Sequence, residues 1–493
     1  MTATAASESV QATETKQTPL PRWQLLTVFL VQLAEPITAT VIFPFAPEFI
    51  RRTGITGGDE TKTGYYAGFI ESAFYIAESL SVFYWGRLSD RFGRKPILLL
   101  GPLGLTFAML GFGLSSNFWS LVLFRFAQGV FNGNIGVSKT VMAEELTDST
   151  NIGDAFALIP LMWGSGVTLG PVIGGLLVHP ADTWPNTFGR IALFRDHPYF
   201  LPCAVAGLFS FAIFLLTFVV LQETHPATIA RKKSKCSPPT QETCLIANST
   251  GADYGSTDTT TVASDDTMSD SVHSQPPSMR EVLGTQFLRV LMNYTSIMFI
   301  GTAYDALIPL MYSTSIPVGG LGFSPFQIGQ ILSAWGLINA IVQCVFTGRL
   351  LRMFGARRMF IISVGFMFVA ILAFSFESYF ARLAGRVDEK VITLLLIQLT
   401  CNLMTFVAFA AIHVLVIQSA TSRAALGSTN GITQMAGSGI RSFAPYFASS
   451  MFSISLETQL AGGFLVYIII LVLILVLLWL GFKIPKRFKS TDA

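Results

Sequence analysis

Charge is what this sequence lacks. Only 12% of its 493 residues are Asp, Glu, Lys or Arg, about half the share of an ordinary soluble domain. Against this stand 51% hydrophobic residues and a mean hydropathy of +0.56. Apolar runs of about 20 residues recur along the chain, the length that crosses roughly 30 Å of hydrocarbon. A soluble globular protein is thereby excluded, and a polytopic membrane protein is implied. Cysteines are also scarce: Cys203, Cys236, Cys244, Cys344 and Cys401 show no metal-ligand spacing and read as small packing residues. A G-x-x-x-x-G-K-[ST] phosphate loop is missing, which argues against ATP-driven work. No His/Asp/Glu cluster stands at ligand spacing beside a nucleophile, which argues against a membrane enzyme. No cofactor, metal or nucleic-acid partner is expected. Residues 1–22 are polar and show no cleavable signal, so they read as a disordered cytosolic tail before a retained first span.

What is present is organised around Gly86-Arg87-Leu88-Ser89-Asp90-Arg91-Phe92-Gly93-Arg94-Lys95-Pro96. Four cations, one carboxylate and two glycines join two apolar segments through a spacer too short for them to run parallel. The result is an antiparallel helical hairpin whose positive bend belongs on the cytoplasmic side. A degraded copy, Gly348 to Arg358, returns 262 positions later. Twelve spans are predicted, at about 23–47, 64–85, 97–115, 117–140, 155–178, 199–221, 288–312, 324–346, 358–376, 392–418, 429–453 and 461–482. Residues 222–286 are rich in Ser, Thr, Asp and Gly and read as a disordered linker between a bundle at 23–221 and one at 287–482. Residues 483–493 form a short tail. With both termini cytoplasmic, 22 of the 32 Lys and Arg fall inside, Lys139 among them, and eight outside, in keeping with the positive-inside rule. The repeated bend, Pro44 against Pro309, and Gly164-Ser165-Gly166 against Gly437-Ser438-Gly439 mark one duplicated six-helix unit.

Three motifs in order resemble the major facilitator superfamily, and the resemblance covers nearly the whole chain. They are the Gly86–Pro96 bend, Arg125-x-x-Gln128-Gly129 in the fourth span, and Gly166-x-x-x-Gly170-Pro171-x-x-Gly174-Gly175 in the fifth. The third resembles the helix-5 motif of antiporters, and the chain is most similar to the twelve-helix drug:proton branch, including its fungal members. The resemblance implies an all-α major facilitator fold of two six-helix bundles, working as a monomer in the bilayer. It implies that Asp90 pairs with the following arginine and with the N-terminal end of helix 11, where partial positive charge favours an anion. Such a latch would close the cytoplasmic side, with Gly86, Arg91, Gly93 and Arg94 as gating partners. Arg91, Arg94 and Lys95 also read as topology anchors. The copy carries Arg352 in place of Asp90 and so lacks the latch. The helix-5 glycines offer a bare packing face, bent by Pro171 and suited to a sliding contact between the halves.

Ionisable residues inside spans each cost about 2.5–3.5 kcal/mol unless paired or wet. Those expected to carry proton coupling are Glu35, Glu71, Arg125 and Asp305, with Glu35 first, then Glu71, then Asp305. Glu35 and Arg125 lie on helices that line the central cavity of the resembled family, which implies an ion pair between them. A static interhelical salt bridge is the competing account, for that pair and for Glu78. Tyr304, Trp335, Asn339, Gln343, Asn402 and Arg441 are the expected cavity residues, Trp335, Asn339 and Gln343 sharing one helical face. His413 reads as an interhelical hydrogen-bonder. The expected function is proton-coupled export of a small organic molecule by alternating access, with lipid, substrate and protons as partners. Proton-coupled uptake of a nutrient is the alternative, disfavoured for sugars because no Pro-Glu-Ser or Pro-Glu-Thr follows the sixth or twelfth span. A non-transporting sensor is a further one. The plasma membrane is the default location, a vacuolar membrane the alternative.

Overall fold

The computed structural model describes residues 22–145, 159–224, 283–420 and 426–486, and these are helical with no strand among them. The expected N-tail, most of the linker, and residues 146–158 and 421–425 lie outside the described residues. In the first half the helices are α1 (Arg22–Thr40), α2 (Ala46–Arg52), α3 (Thr63–Phe92), α4 (Arg94–Gly113), α5 (Phe118–Asn132), α6 (Ile135–Glu145), α7 (Ile159–Leu177) and α8 (Phe200–Val220). The second half has α9 (Thr285–Ser313), α10 (Pro325–Val342), α11 (Gly348–Phe354), α12 (Ala356–Ala384), α13 (Glu389–Gln418), α14 (Leu426–Thr458) and α15 (Leu465–Phe482). Three predicted spans are therefore interrupted: the first at residues 41–45, the fourth at Gly133–Asn134, and the eighth by a π-helical turn at Gln343–Thr347.

The duplication is visible at its bends. Helix α3 stops at Gly93 with φ +104° and ψ 163°, and α11 stops at Gly355 with φ +77° and ψ 149°. Only glycine takes that backbone without strain. Lys95 and Arg357, one 262-residue step apart, do the same job in each half. Lys95 Nζ donates to Phe218 O at the end of α8 (2.9 Å), and Arg357 donates to Phe482 O (2.8 Å) and Ile484 O (2.7 Å) at the end of α15. Each cation satisfies carbonyls that a helix C-terminus leaves open.

Among the described residues, six helices are long and apolar enough to cross a membrane: α4, α8, the α10–α11 unit, α12, α13 and α15. The remaining predicted spans carry Glu35, Glu71, Glu78, Arg125, Asp305 and Arg441. Within the halves, α1 packs on α7, α3 on α5, α4 on α8, α9 on α14 and α12 on α13. The second half has one continuous apolar core. The core of the first is divided in two, one part around Val28, Leu98 and Val141 and the other around Ile42, Phe49 and Met109. Between them lies the polar layer of Glu35, Arg125, Gln128 and Asn132.

The loop between α7 and α8 is tethered to the first half through Glu48. Its carboxylate lies 2.6 Å from His179 Nε2 and accepts from Tyr199 Oη at 2.9 Å. Burial opposes ionisation of Glu48, but His179, Tyr199 and Arg51 outweigh it and hold the carboxyl below its ordinary range. Stability from a depressed carboxylate is present above its unfolded pKa and lost as pH falls through the folded value. Protection of 180–196 from hydrogen exchange, taken relative to the intrinsic rate at each pH, is therefore expected to fall on acidification in the wild type. In Glu48→Gln that protection should be low at every pH.

Candidate functional site

At the end remote from the bends the two halves meet tightly. On α3, a side chain at Gly64 would strike Ser449 and Ser453, and one at Gly68 would strike Pro445 and Tyr446 of α14. Gly175 of α7 faces Gly329 of α10 so closely that a Cβ on either would lie 2.5 Å from the other's Cα. Small residues allow this backbone approach. Outside it, Arg51 pairs with Glu60 at 3.3 Å, and Glu60 accepts from Ser315 N (3.0 Å) and Oγ (2.7 Å) across the boundary. At the other end the halves part. The α3–α14 contacts reach Ser79–Ser442 (3.4 Å). Beyond it, nothing approaches within 4 Å of a Cβ position on Gly86, Gly431 or Gly439, and Met435 is 75% exposed.

The cavity under the closed end encloses about 510 Å3, open solvent included. Phe43, Pro47, Ile50, Glu71 and Tyr75 line it from the first half; Thr302, Asp305, Pro309, Pro445 and Ser449 line it from the second. Its walls are mostly apolar, with two carboxylates facing from opposite halves. They differ in company. Glu71 is bound by Arg125 Nη2 at 3.0 and 3.1 Å. Arg125 is itself 1% exposed, donates to Gln128 Oε1 (2.8 Å) and Ala39 O (3.3 Å), and lies over the Phe74 ring at 4.5 Å. Asp305 has no ion-pair or hydrogen-bond partner among the described residues and is open to the cavity.

The expected Glu35–Arg125 pair is therefore not formed. Arg125 turns to α3, and Glu35 occupies a separate polar pocket inside the first half with Gln32, Asn132, Asn134 and Ser138. The fourth-span motif gains a physical basis here. Gln128 holds the guanidinium, and a side chain at Gly129 would strike the Phe74 carbonyl and Ala77 of α3. Glu78 is buried, and the charges of Arg441 and Lys139 reach both it and Glu35. Lys139, counted with the cytoplasmic charges at the end of the fourth predicted span, lies on α6 and is half-buried. Arg441 stands over the Tyr75 ring at 5.5 Å.

The expected cavity residues of the second half lie elsewhere. Trp335 donates to Leu399 O (2.9 Å), Gln343 faces Asn339 Oδ1 (3.4 Å) and Leu403 O (3.5 Å), and Asn402 is 2% exposed. Their shared face packs α10 on α13. Tyr304 accepts from Gln398 Nε2 at 3.1 Å and packs against Phe374. None of the five lines the cavity that Asp305 faces. His413 bonds within its own helix, to Phe409 O at 2.7 Å. Among the helix-5 residues, Gly166, Gly170 and Gly174 pack on Pro36 and Thr40 of α1 and on Val41 just after it, inside their own half. Across the boundary, Thr168 meets Gly336, and Pro171 and Gly175 meet Gly329. Pro171 lies inside the helix between them.

Asp90 does not touch α14 with the bend end open. It is 66% exposed and accepts from Arg94 Nη1 at 2.7 Å, and Arg91 is exposed beside it. Glu223, which the sequence offered only as part of a missing motif, accepts from Arg94 N (2.7 Å) and Lys95 N (3.2 Å) and so caps α4. Tyr75, Gln398 and Glu377 carry no motif that marks them in the sequence. Glu377 is wholly buried, with both oxygens unpartnered among the described residues.

Two pseudo-symmetric helical halves around one cavity, sealed at one end and parted at the other, define an integral multi-pass membrane transporter, not an enzyme. The chain belongs to the Major Facilitator Superfamily, whose family model matches residues 28–445. Major facilitator-type transporter psiT2 of Psilocybe cyanescens is 30% identical, over 96% of this chain and 92% of its own. Efflux pump azaK of Aspergillus niger is 28% identical, over 96% and 92%. The solved D-xylose-proton symporter superimposes with a TM-score of 0.67 at 16% identity, covering 96% of this chain and 98% of the other, and shows the shared fold. Small-molecule transport follows from the family.

Proposed function

We propose that the chain exports organic amines in exchange for protons by alternating access. One observation carries this reading: Asp305 is an unpartnered carboxylate on the wall of an otherwise apolar cavity between the halves. A charge at that depth is costly until something neutralises it. A proton or the ammonium group of a substrate would do so, but not both together. Competition for one carboxylate makes the two bind in alternation, and alternate binding is what couples their opposed fluxes. Glu71 cannot serve in the same way while Arg125 holds it. The positive-inside charge bias puts the bends in the cytoplasm, so the described state opens inward. Export is the direction that the name efflux pump azaK carries, and it is extended to this chain as part of the proposal. In the opposite state Asp90 would leave Arg94 for the N-terminal end of α14, as the latch requires.

The test is reconstitution in liposomes with an imposed pH gradient and a panel of lipophilic amines and neutral analogues. Amine-dependent proton flux is expected in the wild type. Asp305→Asn should lose it by at least about tenfold, while Asp305→Glu retains part. Undiminished coupled flux in Asp305→Asn would defeat the proposal.

A further inference from the structure

We infer that the pocket beside Glu35 is a built site for one water molecule, through which Glu35 gains and loses a proton. The inference rests on the proton-coupled reading and adds to it a second protonatable site, inside the first half.

The pocket lies where the fourth span breaks. Helix α5 ends at Asn132, Gly133 and Asn134 form the break, and α6 resumes at Ile135. Non-helical backbone at membrane depth is tolerated where it lines a cavity, and broken helices mark ion sites in many transporters. This break is provided for: the carbonyls of Gly129 and Val130 accept from Ser81 Oγ (3.4 Å) and Trp85 Nε1 (2.6 Å) of α3. Gly101 of α4 has no side chain, and the Asn134 amide fills that space.

Four side chains around the cavity are more than nine-tenths buried: Gln32 at 5% exposed, Glu35 at 7%, Asn132 at 2% and Asn134 at 6%. Each has a polar atom without a partner among the described residues: Gln32 Oε1, Glu35 Oε2, Asn132 Nδ2 and Asn134 Nδ2. The Asn132 amide lies beside the Glu35 carboxylate, within reach of a side-chain contact, and its Nδ2 has no other partner among the described residues. Gln32 Nε2 is occupied by Met142 Sδ at 3.4 Å, which leaves the Gln32 oxygen for the cavity. The unmet groups are thus two acceptors and two donors. A water molecule offers two hydrogens and two lone pairs, and the cavity has room for about one. A metal cation fits poorly, since it would leave both amide donors unmet.

The proton step balances without another reactant. A hydronium ion at this position gives its proton to the Glu35 carboxylate, leaving a carboxylic acid and the water; release is the reverse. Three charged groups face Glu35 from neighbouring helices: Glu78 of α3, Lys139 of α6 and Arg441 of α14. Two belong to the same half. Arg441 belongs to the other, so its separation from Glu35 changes as the halves rock, and the hold of Glu35 on a proton changes with it.

Infrared difference spectroscopy of the purified full-length protein, alkaline minus acid, tests this without a substrate. A carboxylic C=O band absent from Glu35→Gln reports Glu35, and a water O–H band that shifts in H2 18O reports the bound water. Asn134→Leu fills the cavity and removes a donor. It should move the C=O band to higher wavenumber and abolish the water band, while Asn134→Ser keeps both near their wild-type positions. Gln32→Leu, accepted if its melting temperature is near wild type, should act as Asn134→Leu does. A Glu35 band indifferent to both leucine variants overturns the relay and leaves the proton reading intact. Absence of any Glu35 band overturns Glu35 as a proton carrier and the relay with it, but leaves Asp305 untouched.

Discussion

Arg125→Met should be among the most damaging single substitutions in this chain, and Glu71→Met in the same protein should restore much of what it loses. The guanidinium is 1% exposed and serves Glu71, Gln128 and the Ala39 carbonyl while lying on Phe74. Removing it leaves a carboxylate at membrane depth facing apolar walls, together with an amide and a carbonyl that lose their donor. Breaking one partner of a buried ion pair costs about 3–5 kcal/mol, whereas replacing both by apolar residues of similar volume is often nearly neutral. Glu71→Met alone should also be severe, because arginine cannot shed its charge, although Gln128, Ala39 and Phe74 still shelter it. The measurement is thermal stability in detergent of the two single variants and the double. A double variant less stable than both singles would show that the pair is not what makes the singles costly. The comparison isolates the pair because neither methionine introduces a new polar demand.

The polar layer built around this pair shows how far the sequence could be read. The family, the duplication and the bends were legible because each depends on local chemistry: glycine at positive φ, cations that cap neighbouring helix ends, apolar runs of membrane length. Gly93 and Gly355 take the same backbone turn for that reason. The charged residues within spans were legible as costly, but not their partners. Whether Arg125 faces Glu35 or Glu71 depends on the rotation of α1 and α3 about their axes, which helical periodicity leaves open when apolar residues surround both. Trp335, Asn339 and Gln343 share a face, as the spacing requires, yet that face meets α13 and not the cavity. A one-helix pattern identifies a stripe, not its neighbour. The Glu35 pocket had a readable signal, two asparagines flanking a glycine in mid-span. That signal is not specific, because breaks in transmembrane helices also arise from simple packing.

The closed end should fail if it is given side chains. Gly175 and Gly329 approach so closely that a Cβ on either lies 2.5 Å from the other's Cα, and further backbone atoms lie close by. A backbone cannot rotate away as a side chain does, so Gly175→Val must push α7 and α10 apart. Overpacking of this kind costs about 1–3 kcal/mol. Here the penalty falls on one state only, because the contact exists only while this end is shut. The ratio of open to closed should therefore rise about 5- to 150-fold, and the Gly175→Val, Gly329→Val double variant should exceed either single. Thr302, on the cavity wall beneath the seal, provides the readout. As Thr302→Cys, it should react slowly with a membrane-impermeant thiol reagent added on the side remote from the bends, and rapidly once Gly175→Val is present. Gly174→Val is the control, since its Cβ would strike the Val41 carbonyl just after α1 in the same half. It should lower stability without raising labelling from that side. Equal labelling in the Gly174 and Gly175 variants would mean that α7 acts through general disruption of the first half, and the glycine contact would lose its standing as the seal.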